Sequence, residues 1–417
     1  MTDLPVVVFS GGRTTLPLAR LAAVSGRARV AVVDPNVARS LSAEAGPVFC
    51  PLTGVTQQMR VEVMYEVVKV MASVEAAVPE AAAAFAADGL PPRVAETLPR
   101  WLPRATLAAL SNLAPHVAAL RAFAGSFPVA AYVTHEDVTP LNKALALTAR
   151  SLGIPTFHLP HANHFGQVRP DVHDGSVCDW ILAASRHMRD WYVERGFPPD
   201  RVEVVGHPPW DDLAAHPLPL RPLARRALRV PDDMPAVLFG SSWAQTTNAA
   251  DAPDALPRAY AAFVEAAASE GWFVLWSMHP GEPPAWQQQH AARLNAAGVR
   301  GAVLRSHVRL ALGAADVVVA AGPSNFLVEA AILGVPPVSV SVPNYRFPQA
   351  PPWTVRPTAS AIARRVNAIL ADPEAARSRL PAAVSRYAAG ADGGATRRAL
   401  DFVLERAGLA PRREEAG

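Results

Sequence analysis

His135, Glu136 and Asp137 follow directly on the apolar run 129–134, and His161 and His164 follow a second such run at 154–159. Loops at the C-terminal ends of neighbouring parallel strands point into one ligand crevice, so both polar clusters are expected at the same sheet edge. A carboxylate and an imidazole brought together there can take a proton from a hydroxyl, the work of a general base. The plainer alternative makes them helix caps and loop residues. A third cluster lies far along the chain, where the strand-length run 317–321 breaks at Gly322-Pro323 and apolar residues return at helical spacing through Phe326, Leu327, Ala330 and Ala331. Ser324 or Asn325 is a natural N-cap, and the amide groups and positive dipole end behind such a cap favour a diphosphate. Glu329, one and a half turns into that helix, is within reach of a ribose on the same ligand. The competing view is that strand-turn-helix units carry capped helices whatever they bind.

Other candidate chemistries are weaker. His158, His161 and His164 are three apart, but on an extended segment that spacing sends side chains in different directions. No acidic or cysteine partner stands at a standard ligand spacing, and no D-x-D triplet occurs in the chain, so no metal site is expected. Gly11-Gly12-Arg13 closes the strand-like run 6–10 and falls short of a full G-x-G-x-x-G. Its backbone N–H groups either face a substrate or form a plain strand-to-helix turn.

The elements that must position these residues alternate between strand and helix. Apolar runs at 6–10, 29–34, 129–134 and 154–159 read as buried strands of an α/β domain spanning 1–213. Within it, about 56–127 is strongly helical and reads as an insertion: an acceptor pocket, a partner surface or plain core. The loop-like stretch 216–235 marks a boundary before a second α/β domain at 234–358. There, strands at 236–239, 272–277 and 317–321 end in Gly240-Ser241-Ser242-Trp243, Met278-His279-Pro280 and the Gly322 elbow, three loops expected to line one crevice. Helices over 359–417 complete the chain, the last of them expected to pack back on the N-terminal domain.

Composition narrows the function classes. Half of the 417 residues are hydrophobic and 18% are charged, as in a globular chain of two or three domains. The net charge of +3, with Lys69 and Lys143 the only lysines, gives no nucleic-acid stripe. Cys50 and Cys178 lack paired spacing and are expected as reduced thiols in the cytosol. The N-terminus has no basic region of a signal peptide, and no run approaches the roughly 20 apolar residues of a membrane helix. Peripheral contact with a membrane stays open.

The order of these motifs resembles the GT-B glycosyltransferases, an α/β fold of two facing Rossmann-like domains with the nucleotide in the second. The HED, GIPTFHL (153–159) and VVGHPPWDDL (204–213) segments resemble non-hydrolysing UDP-N-acetylglucosamine 2-epimerases. The MHP and GPSN segments resemble the HP and serine motifs of CDP-glycerol glycerophosphotransferases and bacterial sialyltransferases. That resemblance implies that His279, with Pro280, contacts a donor phosphate, that Ser324 and Asn325 cap it, and that Glu329 holds ribose hydroxyls. Gly240, Ser241, Ser242 and Gly322 complete the implied donor site. It further implies a base at Asp137, as in the sialyltransferase type, or at His161, where the glycerophosphotransferase type carries a histidine. Gly11, Gly12, Arg13, Glu136 and His164 are left as acceptor or loop candidates.

The chain also departs from these relatives. Pro160-His161-Ala162-Asn163 stands where the epimerases carry a catalytic glutamate, and Ser241-Ser242-Trp243-Ala244-Gln245 where they carry a histidine-arginine cluster. Asn325 replaces a second serine, and no glycine follows Asp137. The expected activity is therefore metal-independent, inverting transfer of a sugar or alcohol phosphate from a CMP-, CDP- or UDP-linked donor to a glycan, lipid-linked or other hydroxyl. Surface polysaccharide or glycoconjugate synthesis is the implied setting, with no cofactor besides the donor. The alternatives are an epimerase or hydrolase of a UDP-sugar and a non-catalytic nucleotide-sugar-binding subunit.

Overall fold

The computed structural model describes residues 4–87, 92–137, 139–161, 176–242, 254–322, 324–342, 353–389 and 391–409. Runs such as VVVF and VVVAA are apolar on both faces of a strand, which suits parallel sheets covered by helices on both sides. Six of the strands are β1 (Val6–Phe9), β2 (Arg29–Val32), β3 (Val129–Thr134), β4 (Thr156–His158), β5 (Trp180–Ala183) and β6 (Val202–Val204), ordered β2-β1-β3-β4-β5-β6. The other six are β7 (Ala236–Gly240), β8 (Phe273–Ser277), β9 (Gly301–Leu304), β10 (Val317–Ala321), β11 (Pro337–Val340) and β12 (Thr354–Val355), ordered β12-β11-β10-β7-β8-β9. Pairings are parallel, from Val6 beside Arg29 in the first sheet to Val317 beside Val237 in the second. Parallel neighbours need crossover connections, which the helices supply.

The helical stretch between β2 and β3 is a pair of long helices, Gln57–Ala87 and Pro92–Ser126, packed on each other. Pro79, Pro99, Pro103 and Pro115 lie inside them, each removing one backbone hydrogen bond from its helix. Leu120 and Phe123, near the end of the second, join Val6, Val8, Tyr132 and Leu145 in one core.

The described chain forms two compact units. One holds the residues up to His161 with 176–181 and those from Ala399 on; the other holds 182–398. Residues 182–213 fall within the second unit, although their strand β6 belongs to the first sheet. In the first unit, Phe402 of the helix Ala395–Arg406 meets Trp180 and Phe157 edge-on, with ring centroids 5.3 and 6.4 Å apart. In the second, Phe239 stacks on Phe263 at 4.2 Å and Trp276 packs against Phe239, with Val274, Val319 and Ile362 in the same core.

Candidate functional site

In the first unit, three loops meet at the C-terminal ends of adjacent strands β1, β3 and β4. Gly12 explains how they fit: a Cβ there would lie 2.1 Å from Cγ of His135. Only glycine lets the imidazole lie against the backbone at this turn. Ser10 accepts the His135 amide at 3.1 Å and shares a hydrogen bond with its Nδ1 at 2.8 Å. Buried Thr14 donates to the carbonyl of Leu159 at 3.0 Å, tying the turn to the loop after β4. Arg13 is exposed.

His135 and His161 form an electrostatic group with Glu136. Dehydration holds the His161 pKa below the ordinary imidazole value, with the Glu136 carboxylate opposing. The same burial lowers His135, opposed by Glu136 and assisted by repulsion from His161. Both rings are therefore neutral at pH 7 and able to accept a proton. Glu136 also serves structure, since its Oε1 accepts the Thr139 amide at 2.8 Å beside the start of the helix Pro140–Ser151.

Asp137 is tied into the fold. It is 3% exposed, its Oδ2 accepts from Ser176 Oγ at 2.5 Å and the Val177 amide at 2.9 Å, and His158 Nδ1 lies 3.4 Å from its Oδ1. Such a carboxylate fastens the segment before β5 to the end of β3. His161 is the most exposed member of the cluster by surface area, although the surrounding atoms still dehydrate its ring. His164 lies outside the described residues, as do 243–253 and Pro323.

In the second unit, the loops after β7, β8 and β10 are joined by a buried polar chain. Ser241, 8% exposed, donates to Glu282 Oε2 at 2.5 Å and accepts the His279 amide at 3.0 Å. The His279 amide also lies 2.9 Å from Glu282 Oε2. His290 Nε2 stands 3.3 Å from Oε1, its ring stacked on Trp276 at 4.6 Å. Arg293 Nη1 approaches His290 Nδ1 at 3.4 Å; arginine only donates, so Nδ1 accepts and Nε2–H points at Glu282. Burial pushes the Glu282 pKa up, but hydrogen bonds from His290, Ser241 and the His279 amide outweigh it and hold the group below the usual carboxylate range. Ser242 Oγ donates to the Ala321 carbonyl at 2.8 Å, and the Ser242 amide donates to Tyr260 Oη at 2.8 Å. Ser241 and Ser242 thus bind loop to loop.

This framework presents His279. Its Nδ1 accepts the Gly281 amide at 3.0 Å, so the neutral ring carries its proton on Nε2. Burial lowers its pKa, with Glu282 opposing, and the ring is a neutral donor at pH 7. Pro280 is exposed beside it.

The elbow after β10 forms a second donor. Ser324 is the N-cap of the helix Asn325–Ile332, its Oγ accepting the Phe326 amide at 3.2 Å. A hydroxyl that accepts with a lone pair keeps its proton for another acceptor. The Gly322 amide is spent on the Val340 carbonyl at 2.7 Å, and the Leu327 amide on Ser324 O at 3.1 Å. Gly240 makes room for this helix start, since a Cβ there would fall 2.7 Å from Cδ1 of Phe326. Trp210 Nε1 donates to Glu329 Oε1 at 3.3 Å, and His207 packs on Trp210 at 4.6 Å. Among the described residues no group of three histidine, cysteine or carboxylate side chains is arranged to hold a metal ion.

Glu282, His290 and Trp210 were not singled out in the sequence. The Glu282 signal was a carboxylate three residues after His279; for His290, inside the helix Trp286–Ala296, spacing offered none.

No protein-family profile matches the chain, and no curated protein resembles it in sequence. Solved structures do resemble it in fold. A putative UDP-N-acetylglucosamine 2-epimerase from Listeria monocytogenes matches with a TM-score of 0.58 at 13% identity, covering 98% of each chain. A glycosyltransferase from Rickettsia africae matches with a TM-score of 0.55 at 12% identity, covering 97% of this chain and 99% of its own. The Anabaena protein HepE, in complex with UDP and glucose, matches with a TM-score of 0.56 at 12% identity, covering 97% of this chain and 100% of its own. At such identities the likeness concerns architecture: two parallel six-stranded sheets with surrounding helices, the GT-B fold.

Proposed function

We propose that this GT-B chain is a nucleotide-sugar-dependent glycosyltransferase, metal-independent and inverting, or a glycerophosphotransferase-like enzyme in which the acceptor oxygen attacks phosphorus instead of carbon and the nucleoside monophosphate leaves. The observation that carries the reading is His279: a neutral imidazole with its proton fixed on Nε2 by the Gly281 amide, beside loops joined through Ser241 and Ser242 to the Ser324 elbow. Neutral donors already in place are what a leaving phosphate requires as its charge develops. The Anabaena neighbour, solved with UDP and glucose, agrees with a nucleotide-sugar ligand.

In this reading the second unit holds the donor. His279 Nε2–H and the Ser324 hydroxyl meet the phosphate oxygens, Asn325 lies at the same helix start, and Glu329, oriented by Trp210, takes the ribose hydroxyls. The first unit handles the acceptor. His161 accepts the hydroxyl proton as the acceptor oxygen bonds to the donor carbon. The bond from that carbon to the nucleotide phosphate breaks, its electron pair leaving on the phosphate, and the centre inverts. Asp137 is reassigned from base to anchor, dehydration keeps His161 neutral, and His135 is set by Ser10 and Gly12.

The acceptor class is a glycan or lipid-linked hydroxyl in surface polysaccharide or glycoconjugate synthesis, with the enzyme in the cytosol or at the inner membrane face. Among the described residues no helix is long and apolar enough to cross a membrane.

The test is turnover of CMP-, CDP- and UDP-linked donors in a chelator, with the anomeric configuration of the product read by NMR. Inverted product without metal supports the reading; a strict requirement for magnesium or manganese overturns it. Release of a 2-epimer or free UDP from UDP-N-acetylglucosamine without acceptor would instead identify an epimerase or hydrolase. Full activity of a complex carrying His161→Ala would identify a non-catalytic subunit.

A further inference from the structure

We propose that the insertion helix Gln57–Ala87 is the surface through which two copies of this chain pair, antiparallel and two-fold, along a seam of Val61, Tyr65, Val68 and Ala72. The helix has two apolar faces. Val67, Met71 and Val78 are buried within the unit. Val61 is 63% exposed, Tyr65 65% and Val68 61%, with Ala72 also exposed. At about 100° per residue the exposed four lie together, roughly 110° round from the buried stripe. Spacing of four, three and four residues is that of a helix-pairing seam, and contiguous exposed apolar surface of this kind marks an interaction site.

Charge selects the occupant. Glu62 and Lys69 flank one side of the seam, each one residue after a seam valine. When such a seam meets its own reversed copy, Tyr65 layers with Val68 and Val61 with Ala72. Glu62 of one helix then falls opposite Lys69 of the other, twice by symmetry. Among the described residues these groups have local partners: Lys69 bonds Glu66 at 2.8 Å and lies 4.6 Å from the Tyr65 ring centroid, and Gln58 bonds Glu62 at 2.9 Å. An anionic lipid surface would need an excess of positive charge around the apolar residues. Here Glu62 and Glu66 stand beside Lys69, so a second copy fits better than a bilayer.

The test is sedimentation equilibrium of the full chain with charge-reversal variants. Wild type is expected to be a dimer at about 10 μM, and Tyr65→Asp to weaken association by at least about 100-fold. Glu62→Lys and Lys69→Glu are each expected to weaken it about 10-fold, and the double reversal to restore it. All three altered positions are exposed, and an unchanged melting curve for each variant's folded state confirms that only pairing is altered. A wild-type chain that stays monomeric at about 100 μM overturns the proposal. So does a dimer indifferent to Tyr65→Asp, a double reversal that fails to restore what the single changes lost, or a monomer that binds anionic vesicles through Tyr65.

Discussion

Replacing Glu282 by glutamine tests how the donor loops are held. Its side chain is 0% exposed, with Oε2 accepting from Ser241 at 2.5 Å and the His279 amide at 2.9 Å, and Oε1 facing His290 at 3.3 Å. A hydrogen bond to a charged acceptor contributes about 1.5–3 kcal/mol and one to a neutral acceptor about 1, so three such bonds lose about 3 kcal/mol together. The amide NH2 must also face one of these donors, which adds about 1 kcal/mol. At about 2–4 °C per kcal/mol, the melting transition of the second unit should fall by roughly 10 °C. Because the folded-state pKa lies below the ordinary 4.5, the carboxylate's contribution is present above that value and is lost only as pH falls through the folded pKa. The same change loosens the His279 amide, so KM for the donor should rise about tenfold or more. Calorimetry and donor titration read both quantities. A melting temperature within about 2 °C of wild type with unaltered KM would refute the claim that this buried chain fixes the loop.

His161→Ala should lower kcat by about 100-fold or more with little change in stability, read by steady-state kinetics and a melting curve. In the wild type, kcat/KM should hold as pH falls past the ordinary imidazole value of 6.5 and drop only below it, since burial lowers the His161 pKa. Gly12→Ala sets a Cβ 2.1 Å from the His135 ring and should cost about 1–3 kcal/mol, measured by denaturant unfolding, together with activity. His187 is 4% exposed and its pKa is lowered to about 4, first by burial and then by Arg386. The unfolded chain takes up that proton near 6.5, so its contribution, on the order of 3 kcal/mol, is present above pH 6.5 and is lost as pH falls towards 4. His187→Leu should flatten the dependence of melting temperature on pH over that window.

Much of the architecture was legible because strand and helix write different periods into a sequence. The runs 129–134 and 317–321 coincide with β3 and β10, and Ser324 caps its helix as its residue type suggested. The neighbouring ends of β1, β3 and β4 follow from parallel pairing, which the apolar strands implied. Side-chain partners were not legible. Nothing near Asp137 announced that Ser176 and Val177, some forty residues later, would consume its oxygens. Likewise, the pairing of Ser241 with Glu282 depends on the adjacency of β7 and β8 rather than on any local motif. Gly12 read as a turn residue, whereas the structure makes it the floor beneath His135, a close approach that only three-dimensional packing reveals.

Nucleotide binding by the wild-type chain and by His279→Ala, followed by calorimetric titration and thermal shift with CMP, CDP, UDP and GDP, tests the central claim most directly. One nucleotide should bind the wild type and raise its melting temperature, since a ligand of the native state stabilises it in proportion to RT ln(1 + [L]/Kd). His279→Ala should weaken that binding by about tenfold or more, the loss of one good phosphate donor. Binding of no nucleotide, or equal binding to both proteins, would contradict the donor site built on His279 and the Ser324 elbow.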